Sequence, residues 1–481
     1  MSQARFATCL PLPMEQKVLV NIIEKAKDWA LMHGVGMRDK KHFNKDTIQI
    51  APFVLLPSPF PRAEFTKAVE LQPVLNELMH KVAHDDEFLE ETLQNALQVD
   101  EFTANLYNIW VKVRTEGISQ SLSLGLFRSD YLMQNAERNG IKQVEFNTIA
   151  SSFGAITSYL PAMSRYILRQ LGHSDLIKNM PENRALSGLC SGITEAFDLF
   201  GVPTAVVLFV VEEVSYNICD QRFHEFHISE TRPEIQIIRK TMNEIYEETE
   251  LNDKKQLMID GKPVAVVYYR SGYEPAQYPS CREWDARLRV ERSTAIKCPS
   301  IAYQLAGTKK VQQALAVPGV LEKFMGGGTA TERVRDIFTG LYSLDFDESG
   351  ERAVEMALED AERFVLKPQR EGGGNNLYGS DVREALLKMR HSRERSAYIL
   401  MERILPPLVS GYVVRPGAAV PPPLTDLVSE LGIFGVIIGT KDRIYCNKQV
   451  GHMLRTKLAD ANEGGVAAGL GALDSPYLID Q

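Results

Sequence analysis

The spacing of apolar residues along the chain predicts alternating helices and strands. Residues 17–32 carry apolar side chains at helical spacing, and residues 62–116 continue that pattern with one break. The apolar run 204–211 and the similar segment 264–273 each lead directly into polar residues. Buried strands of an α/β sheet have this form, because both of their faces are covered by helices. The pattern therefore predicts a mixed α/β fold.

A different periodicity appears in the segment 143–154. Val144 and Phe146 alternate with Glu145 and Asn147, which is the period of two expected of a strand. Glu145 and Asn147 would then project from the same side, about 6 to 7 Å apart. That separation suits two oxygen ligands of a metal near phosphate, although a solvated polar face would explain the same pattern.

The stretch 364–379 (FVLKPQREGGGNNLYG) places candidate chemistry directly after a short apolar strand. Lys367 stands where that strand would end, and Glu371 precedes three consecutive glycines. Backbone N–H groups of such a loop can point at phosphate oxygens, and a nearby lysine compensates the charge. The spacing differs from the familiar phosphate loops, because the lysine comes before the glycines. A flexible surface loop is the alternative that this segment alone leaves open.

The two apolar strands and their neighbours predict a smaller α/β domain over residues 204–306. It would be inserted between two parts of a larger body, at 1–203 and 307–481. Ligands of open α/β sheets bind beyond the carboxyl ends of the strands. The candidate residues at those ends are Asn217, Gln221, Arg270 and Tyr273.

One pair of histidines in this region has the spacing of metal ligands. His224 and His227 would share a helix face, three positions apart. Since no third ligand is evident in the sequence, we interpret both as surface histidines.

Composition narrows the classes of protein that fit. At 481 residues and 44% hydrophobic, the chain can form two or three domains with sizeable cores. Its longest apolar run is too short to span a bilayer, and its first twenty residues lack the pattern of a secretory signal. A net charge of −8 without a basic block argues against nucleic acid as a partner. Six scattered cysteines without a C-x-x-C pair favour reduced thiols, and hence an intracellular protein.

Seven segments of the chain together resemble the signature sequences of one family. They are LFRSDY, VEFNT, QLAGTKKVQQ, LKPQREGGGNNLYG, ELGIFGV, GHMLRTK and GGVAAG, and they follow the family's order over nearly the whole length. On these motifs the chain resembles the eukaryotic-type glutathione synthetases of the ATP-grasp superfamily. The resemblance implies an α/β (mixed α+β) ATP-grasp-type catalytic body with a glycine-rich lid at roughly 340–425 and an inserted substrate-binding domain.

The same resemblance implies an ATP-dependent carboxylate–amine ligase. Such an enzyme joins γ-glutamylcysteine to glycine through an acyl phosphate and releases glutathione, ADP and phosphate. Members of the family are homodimers, and we expect the cytosol as the compartment. Ala467 and Ala468 stand where plant enzymes that use β-alanine have Leu-Pro, which favours glycine. A ligase for another amine, such as β-alanine, and a catalytically silent nucleotide-binding scaffold are the alternatives.

The resemblance also implies which residues of this chain form the site, position by position along the matching motifs. Mg²⁺, as two ions with ATP in the family's manner, would be held by Glu145, Asn147 and Glu371. ATP would be surrounded by Glu145, Lys309, Lys367, Pro368, Gln369, Arg370, Glu371, Gly372, Gly373, Gly374, Asn375, Asn376, Tyr378, Met401, Glu402, Arg403, Ile404, Glu430, Lys457 and Glu463. The peptide substrate or product would contact Arg128, Ile149, Ala150, Ser151, Ser152, Ser215, Tyr216, Asn217, Gln221, Arg270, Ser271, Gly272, Tyr273, Arg455, Val466 and Ala467. Catalytic roles would fall to Arg128, Arg455, Gly372 and Gly373.

The chain departs from the animal members of the family at several of these positions. The four residues 149–152 read Ile-Ala-Ser-Ser where Ile-Ser-Ala-Ser is expected, so one serine contact is lost or displaced. Ser215 and Tyr216 replace Glu-Arg, Ser271 replaces an aspartate, and Glu463 replaces an aspartate near the nucleotide. These differences affect individual substrate contacts more than the reaction.

Overall fold

The helices of the chain begin and end close to where the apolar spacing predicts. The computed structural model describes residues 4–134, 140–371, 374–462, 466 and 471–480. The α-helices in these residues are α1 (Gln16–Met32), α2 (Arg62–Ala83), α3 (Asp86–Leu93), α4 (Glu101–Glu116), α5 (Gly154–Gln170), α6 (Ala185–Phe200), α7 (Ile218–Thr231), α8 (Met242–Glu248), α9 (Cys281–Arg292), α10 (Ile301–Ala306), α11 (Lys309–Leu315), α12 (Val320–Met325), α13 (Thr329–Ile337), α14 (Glu348–Glu359) and α15 (Ser380–Met389).

The strands include both the alternating and the continuously apolar segments of the sequence. They are β1 (Gly36–Met37), β2 (Gln49–Ile50), β3 (Phe53–Val54), β4 (Ser58–Pro61), β5 (Ser123–Gln134), β6 (Gly140–Asn147), β7 (Val206–Val210), β8 (Gln236–Lys240), β9 (Glu250–Leu251), β10 (Leu257–Ile259), β11 (Lys262–Tyr269), β12 (Ile296–Cys298), β13 (Leu341–Ser343), β14 (Phe364–Pro368), β15 (Leu377–Tyr378), β16 (Tyr398–Glu402), β17 (Val409–Val414), β18 (Leu424–Thr440), β19 (Arg443–Leu458), β20 (Gly471–Asp474) and β21 (Pro476–Ile479).

Strand β5 is the centre of the main sheet. It pairs antiparallel with β18 and β6 and parallel with β12. In the described residues this sheet has 13 strands, in the order β17-β3-β20-β19-β18-β5-β12-β11-β10-β9, with β6 on β5 and β7 between β11 and β8. The strands of residues 204–306 therefore join those of the larger body through the pairing of β12 with β5. The division into two domains stays a prediction.

Helices cover both faces of the main sheet, which explains the continuously apolar strands. Val207 and Phe209 of β7 pack into one core with helices α1, α5 and α6. Their neighbours Val206 and Leu208 pack into a second core with α2, α4 and α10 on the opposite face. Because alternate side chains of a strand point to opposite faces, both sets must be apolar.

Residues 341–402 form a smaller unit of their own. Strands β13, β16, β14 and β15 make a four-stranded antiparallel sheet in that order. Helices α14 and α15 contribute Val354 and Leu386 to its core, against Leu366 and Leu400 of the sheet. This unit presents the end of β14, and therefore Lys367, to the main sheet.

One expectation about this architecture is wrong. His224 lies on α7 but is buried, not at the surface, and its Nδ1 contacts the backbone oxygen of Asp220 at 2.7 Å. Burial lowers the pKa of His224 to about 4. Helix α7 packs against α5 and α6 on the face that carries His224. Because the sequence of α7 is hydrophilic, its pattern did not indicate a buried face.

Candidate active site

Two neighbouring strands bring polar side chains to one face of the main sheet. In the register of β5 against β6, Arg128 lies opposite Asn147 and Asp130 lies opposite Glu145. Because side chains alternate along a strand, residues 128 and 130 share a face, as do residues 145 and 147. Arg128, Glu145 and Asn147 line a common cavity, and Asp130 is fully buried next to it.

Asp130 is the buried anion that holds this cluster together. Its carboxylate accepts hydrogen bonds from Nε and Nη2 of Arg128, at 2.6 and 2.8 Å, and from Nδ2 of Asn147 at 2.9 Å. Arg455, on β19, places its Nη2 3.5 Å from the same carboxylate and donates from Nε to Glu430 at 3.0 Å. Buried charges are stable only when paired, so this network fixes the positions of both guanidinium groups.

Two glycines of the family motifs are required by close packing at the site. A Cβ atom on Gly432 would lie 2.8 Å from Oδ1 of Asp130 and 2.9 Å from Cδ of Arg128. A Cβ atom on Gly307 would lie 2.1 Å from Oγ1 of Thr148. A side chain at either position would displace the ion pair or the turn that precedes α11.

Lys309 joins the main sheet to the loop that follows β14. Its Nζ donates to Oε2 of Glu145 at 2.9 Å and to Oε1 of Glu371 at 3.0 Å. Helix α11, which begins at Lys309, is held against β6 because the backbone N–H of Phe146 donates to Gln312 at 3.2 Å. One buried ammonium group thus brings together two carboxylates from distant parts of the chain.

Burial and neighbouring cations shift the two glutamates in opposite directions. Burial alone would raise the pKa of Glu145, but Lys309, Lys367 and Arg455 outweigh it and hold that pKa well below its usual range. For Glu371 burial prevails over the attraction of Lys309 and raises the pKa to about 6. Burial also lowers the pKa of Lys367, whose Nζ donates to the backbone oxygen of Val144 at 2.9 Å. The site therefore holds closely coupled charges whose balance an incoming ligand will change.

Two adjoining cavities meet at Lys367. The first has a volume of about 220 Å³, and the second, of about 240 Å³, lies beside β16. Both cavities share Leu132, Val144, Lys367, Tyr378, Lys457 and Asn462. The first is rich in charged groups, whereas the second has an apolar wall that includes Val365, Met401, Ile404 and Val428.

The loop after β6 forms a strained edge of the first cavity. Ala150 and Phe153 both have left-handed backbone conformations, with φ of 49° and 73°. Such conformations are costly for residues other than glycine and are found where the surroundings impose them. Arg128 contributes to this by donating from Nη1 to the backbone oxygen of Ser152 at 3.1 Å.

A second buried ion pair supports the same loop from behind. Asp220, on α7, accepts from the backbone N–H groups of Phe153 and Ala155, both at 2.9 Å. Arg270 donates to Asp220 at 2.9 Å and to Oγ of Ser152 at 3.1 Å. Arg270 therefore reaches the cavity wall through Ser152.

Many residues expected at the site lie around the first cavity. The expected residues among its lining are Arg128, Glu145, Asn147, Ile149, Ala150, Ser151, Ser152, Tyr273, Lys367, Glu371, Asn376, Tyr378, Glu430, Arg455, Lys457 and Val466. The second cavity adds Met401, Glu402, Arg403 and Ile404. Their individual roles stay predictions.

Other expected residues lie outside the lining of both cavities. Lys309 is behind it, in contact with Glu145 and Glu371. The remaining ones are Ser215, Tyr216, Asn217, Gln221, Arg270, Ser271, Gly272, Pro368, Gln369, Arg370, Gly374 and Asn375. Gly372, Gly373, Glu463 and Ala467 fall outside the residues that the structure describes.

The oxygen atoms at the first cavity fit a magnesium ion bound together with phosphate. Nδ2 of Asn147 is occupied by Asp130, which leaves the amide oxygen of Asn147 as its free ligand atom. Glu145 and Glu371 add two carboxylates, and Mg²⁺ prefers oxygen ligands that it shares with substrate phosphates. Over the described ranges, no three His, Cys, Asp or Glu side chains form a preassembled metal cluster. Phosphate oxygens of a substrate would complete the donor set of a bound magnesium ion.

Asp130 and Asp220 are site residues that reasoning from the sequence missed. Asp130 follows Arg128 by two positions, so the strand period of LFRSDY was a signal that both share a face. For Asp220 no comparable signal exists, because its partners come from α5 and the end of β11.

Joined cavities with buried lysines, arginines and carboxylates carry the charged groups of an enzyme site that handles phosphate and carboxylate groups. Residues 16–478 match the family model described as eukaryotic glutathione synthase, ATP binding domain. The chain is 44% identical to the glutathione synthetase of Homo sapiens over 472 residues, which are 97% of this chain and 98% of that protein. It is 43% identical to the glutathione synthetase of Xenopus laevis, with the same shares covered. It is 38% identical to the chloroplastic glutathione synthetase of Arabidopsis thaliana, covering 97% of this chain and 86% of that one.

A solved structure agrees with these sequence relatives. The apo form of a glutathione synthetase-like effector from Globodera pallida superposes with a TM-score of 0.79 at 26% identity, covering 98% of this chain and 100% of that one. The chain belongs to the eukaryotic glutathione synthase family. The predictions of the family, of a mixed α/β ATP-grasp-type fold and of an ATP-dependent ligase are thereby confirmed. Within the described residues, no helix is long and apolar enough to cross a membrane.

Proposed function

We propose that this chain is an ATP-dependent ligase that joins γ-glutamylcysteine to glycine and releases glutathione, ADP and phosphate. The observation that carries the proposal is the meeting of two cavities at Lys367, beside the carboxylates of Glu145 and Glu371. One cavity offers cations for a peptide carboxylate, and the other offers an apolar wall for a nucleotide base. A reaction that transfers a phosphoryl group from ATP to a carboxylate needs these two sites to adjoin.

Activation of the carboxylate is the chemical reason for using ATP. A free carboxylate does not acylate an amine, because oxide would have to leave. Transfer of the γ-phosphoryl group to the carboxylate gives an acyl phosphate and ADP, and attack by the amine of glycine then expels phosphate. Such transfer depends on positioning and charge neutralisation and requires no protein nucleophile.

Arg128 and Arg455 are proposed to orient the cysteinyl carboxylate. Arg128 is fixed by the buried Asp130, Arg455 is fixed by Glu430 with Asp130 3.5 Å away, and both guanidinium groups line the first cavity. Fixed cationic donors can bind a carboxylate and stabilise the oxyanion that forms when an amine attacks. Ser152 and Tyr273, which line the same cavity, would contact the peptide.

The phosphate groups of ATP are proposed to lie near Lys309 and Lys367. Both ammonium groups are buried beside Glu145 and Glu371, and each could donate to a phosphate oxygen. Magnesium would be held by Glu145, Asn147 and Glu371 and would neutralise phosphate charge when bound. The base would lie along Met401 to Ile404, at the apolar wall of the second cavity.

A movable cover over the acyl phosphate is part of the proposal. The intermediate must be kept from water, which a closing loop achieves. Residues from roughly 340 to 425 are proposed as this lid. Within them, the four-stranded sheet of residues 341–402 has its own core, whereas β17 pairs with β3 and β18 of the main sheet. Arg370 of this unit donates to Asp100 of the body at 2.5 Å, so the unit and the body are in contact beside the loop that follows β14.

Three further properties are proposed on the resemblance of the motifs. They are a homodimer, a location in the cytosol, and a substrate-binding domain at 204–306. The six cysteines, all within described residues, are free thiols, which supports a reducing compartment. Sedimentation of the purified protein and cell fractionation test the first two properties, and limited proteolysis tests the third.

Identification of the product tests the proposed function. The purified chain is incubated with ATP, Mg²⁺ and γ-glutamylcysteine, with glycine and β-alanine present in equal amounts. We expect the glycine tripeptide to be the main thiol product in the mass spectrum. A predominance of the β-alanine product would reassign the amine, and ATP binding without any ligated product would favour the silent scaffold.

A further inference from the structure

A third cavity lies at the opposite end of β5 from the ligase site. Its volume is about 240 Å³, and it is enclosed by the ends of α2 and α4, the loop 118–123 and strand β12. None of the residues lining it lines either cavity of the ligase site. Its lining residue Ser123 is five positions before Arg128 on the same strand, about 16 Å away.

Lys297 is the unusual residue of this cavity. It is only 4% exposed, on a strand whose other residues, Ile296 and Cys298, are buried apolar groups. Its Nζ donates to the backbone oxygen of Ser293 at 2.6 Å. Across the described part of the chain, no carboxylate lies within ion-pair distance of that ammonium group. Burial without a counter-ion is costly for an ammonium group and lowers the pKa of Lys297 to about 8.

The nearest acidic residue is already engaged. Glu291 also lines the cavity, but its Oε1 accepts from Nε of Arg287 at 3.0 Å. Arg287 is fully buried, with its guanidinium 4.3 Å from the centre of the Tyr269 ring. One carboxylate therefore faces two buried cations, Arg287 and Lys297, which leaves this part of the interior with one positive charge in excess.

The rest of the cavity wall combines apolar side chains with charged ones. The charged residues are Asp86, Arg114 and Lys441, of which Arg114 pairs with Asp86 at 3.1 Å, so that the excess of positive charge is kept. Trp110, Val113, Leu122 and Ile301 are among its lining residues, and all are buried or half-buried. Ile118 stands at the cavity with 65% of its surface exposed, which is unusual for a large apolar side chain. Concave sites with an apolar lining and one or two placed polar groups are typical of small-molecule binding.

We propose that this cavity binds a small organic monocarboxylate, whose carboxylate pairs with Lys297 and whose apolar part packs against Trp110 and Ile118. The charge in excess favours an anion, the volume limits its size, and the apolar side chains of the wall favour an organic anion over an inorganic one. The site is independent of the proposed ligase activity, since it shares no lining residue with the ligase cavities.

Benzoate is a suitable probe, and benzamide is its neutral counterpart of equal size. Binding of each to the full chain is measured by titration calorimetry and by quenching of tryptophan fluorescence, with Trp110→Phe identifying the signal of Trp110. We expect saturable binding of benzoate, at least tenfold tighter than that of benzamide. Lys297→Met should weaken benzoate binding at least tenfold, whereas Lys262→Met, at an exposed lysine, should leave it unchanged.

A second pair of variants keeps the test valid if Lys297→Met fails to fold. Ile118→Glu places a negative charge at an exposed position on the cavity, and Ile118→Gln has the same size without the charge. The glutamate variant should bind benzoate several-fold more weakly than the glutamine variant. Equal binding by these two variants, equal affinity for benzoate and benzamide, or no saturable binding to the wild type would each overturn the proposal.

Discussion

The guanidinium of Arg128 donates two hydrogen bonds, of 2.6 and 2.8 Å, to the carboxylate of Asp130, two positions further along β5. Both side chains are buried, and the same carboxylate lies 3.5 Å from Arg455. Asp130 therefore fixes Arg128 and, together with Glu430, positions Arg455, and these are the two cations that we assign to the peptide carboxylate. The substrate would bind to a site whose charges are oriented before it arrives.

Replacing Asp130 tests this role. Asp130→Asn keeps the shape of the side chain but leaves two buried guanidinium groups without their shared anion. We expect a loss of about 3 kcal/mol in the free energy of unfolding and a rise in KM for γ-glutamylcysteine that exceeds the rise in KM for ATP. Urea denaturation and steady-state kinetics measure these effects.

The control for this variant is a carboxylate paired at the surface. Asp336 is 62% exposed at its side chain and contacts Lys67 at 2.5 Å. Asp336→Asn should cost less than about 1 kcal/mol, because exposed ion pairs contribute little. A cost for Asp130→Asn as small as this would contradict the anchoring role.

Gly432 offers an independent test of the same cluster. Gly432→Ala brings a methyl group to 2.8 Å from Asp130 and 2.9 Å from Arg128. We expect a cost of about 1 to 3 kcal/mol in stability, together with weaker binding of the peptide. Gly327→Ala, where an added Cβ meets no atom within 4 Å, should change neither property. If both alanine variants behave alike, the close packing is not what requires glycine at position 432.

The adjacent lysines at the start of α11 should differ sharply in function. Lys309 contacts Glu145 and Glu371, whereas Nζ of Lys310 donates to Asp345 at 2.5 Å. Lys309→Met should lower the rate of ADP formation roughly a hundredfold, because it removes a cation beside the transferred phosphoryl group. Lys310→Met should retain most of the activity and lose stability instead. Equal losses of ADP formation in the two variants would show that position on the helix, and not contact with the glutamates, governs the effect.

Glu371 should determine the metal requirement. Glu371→Gln removes one of the proposed ligands while keeping an oxygen atom in place. We expect the Mg²⁺ concentration for half-maximal turnover to rise roughly tenfold, with a lower maximal rate. Glu362→Gln, at a carboxylate that is 74% exposed in the same unit, should leave the metal requirement unchanged. An unchanged requirement in Glu371→Gln would remove this residue from the metal site.

Stability should depend on pH through Asp474. Burial raises the pKa of Asp474 to about 7, although Ser58 and Thr456 both donate to its carboxylate. The folded-state pKa of Asp474 lies above the unfolded value of 3.8, so protonation of this carboxyl group stabilises the folded protein. That stabilisation is fully present below the unfolded pKa and is lost as pH rises through about 7. Between about pH 5 and about pH 8, the free energy of unfolding of the wild type should therefore fall by roughly 2 to 3 kcal/mol relative to that of Asp474→Asn.

Urea denaturation at both pH values measures this difference. Asp480→Asn, at an exposed carboxylate, controls for the removal of one negative charge. Parallel pH profiles for the wild type and Asp474→Asn would contradict a raised pKa at Asp474.

The sequence predicted the local parts of this molecule better than their assembly. The period of two in β6 correctly predicted that Glu145 and Asn147 share a face, and both line the first cavity. Motif resemblance led to the family and to residues that now surround two cavities. By contrast, the pairing of β12 with β5 depends on contacts between segments about 170 residues apart, which no local pattern records. The burial of His224 and the hydrogen bonds of Asp220 to the loop after β6 were also missed, because they too depend on contacts between distant segments.

Transfer of labelled oxygen tests the central claim most directly. The claim is that Lys309, Lys367, Glu145 and Glu371 support phosphoryl transfer from ATP to the cysteinyl carboxylate before the amine attacks. The protein is given γ-glutamylcysteine with ¹⁸O at both oxygens of that carboxylate, together with ATP, Mg²⁺ and glycine, and the released phosphate is analysed by mass. The account predicts one ¹⁸O atom in each phosphate formed with the tripeptide. Unlabelled phosphate accompanying ligation would contradict it.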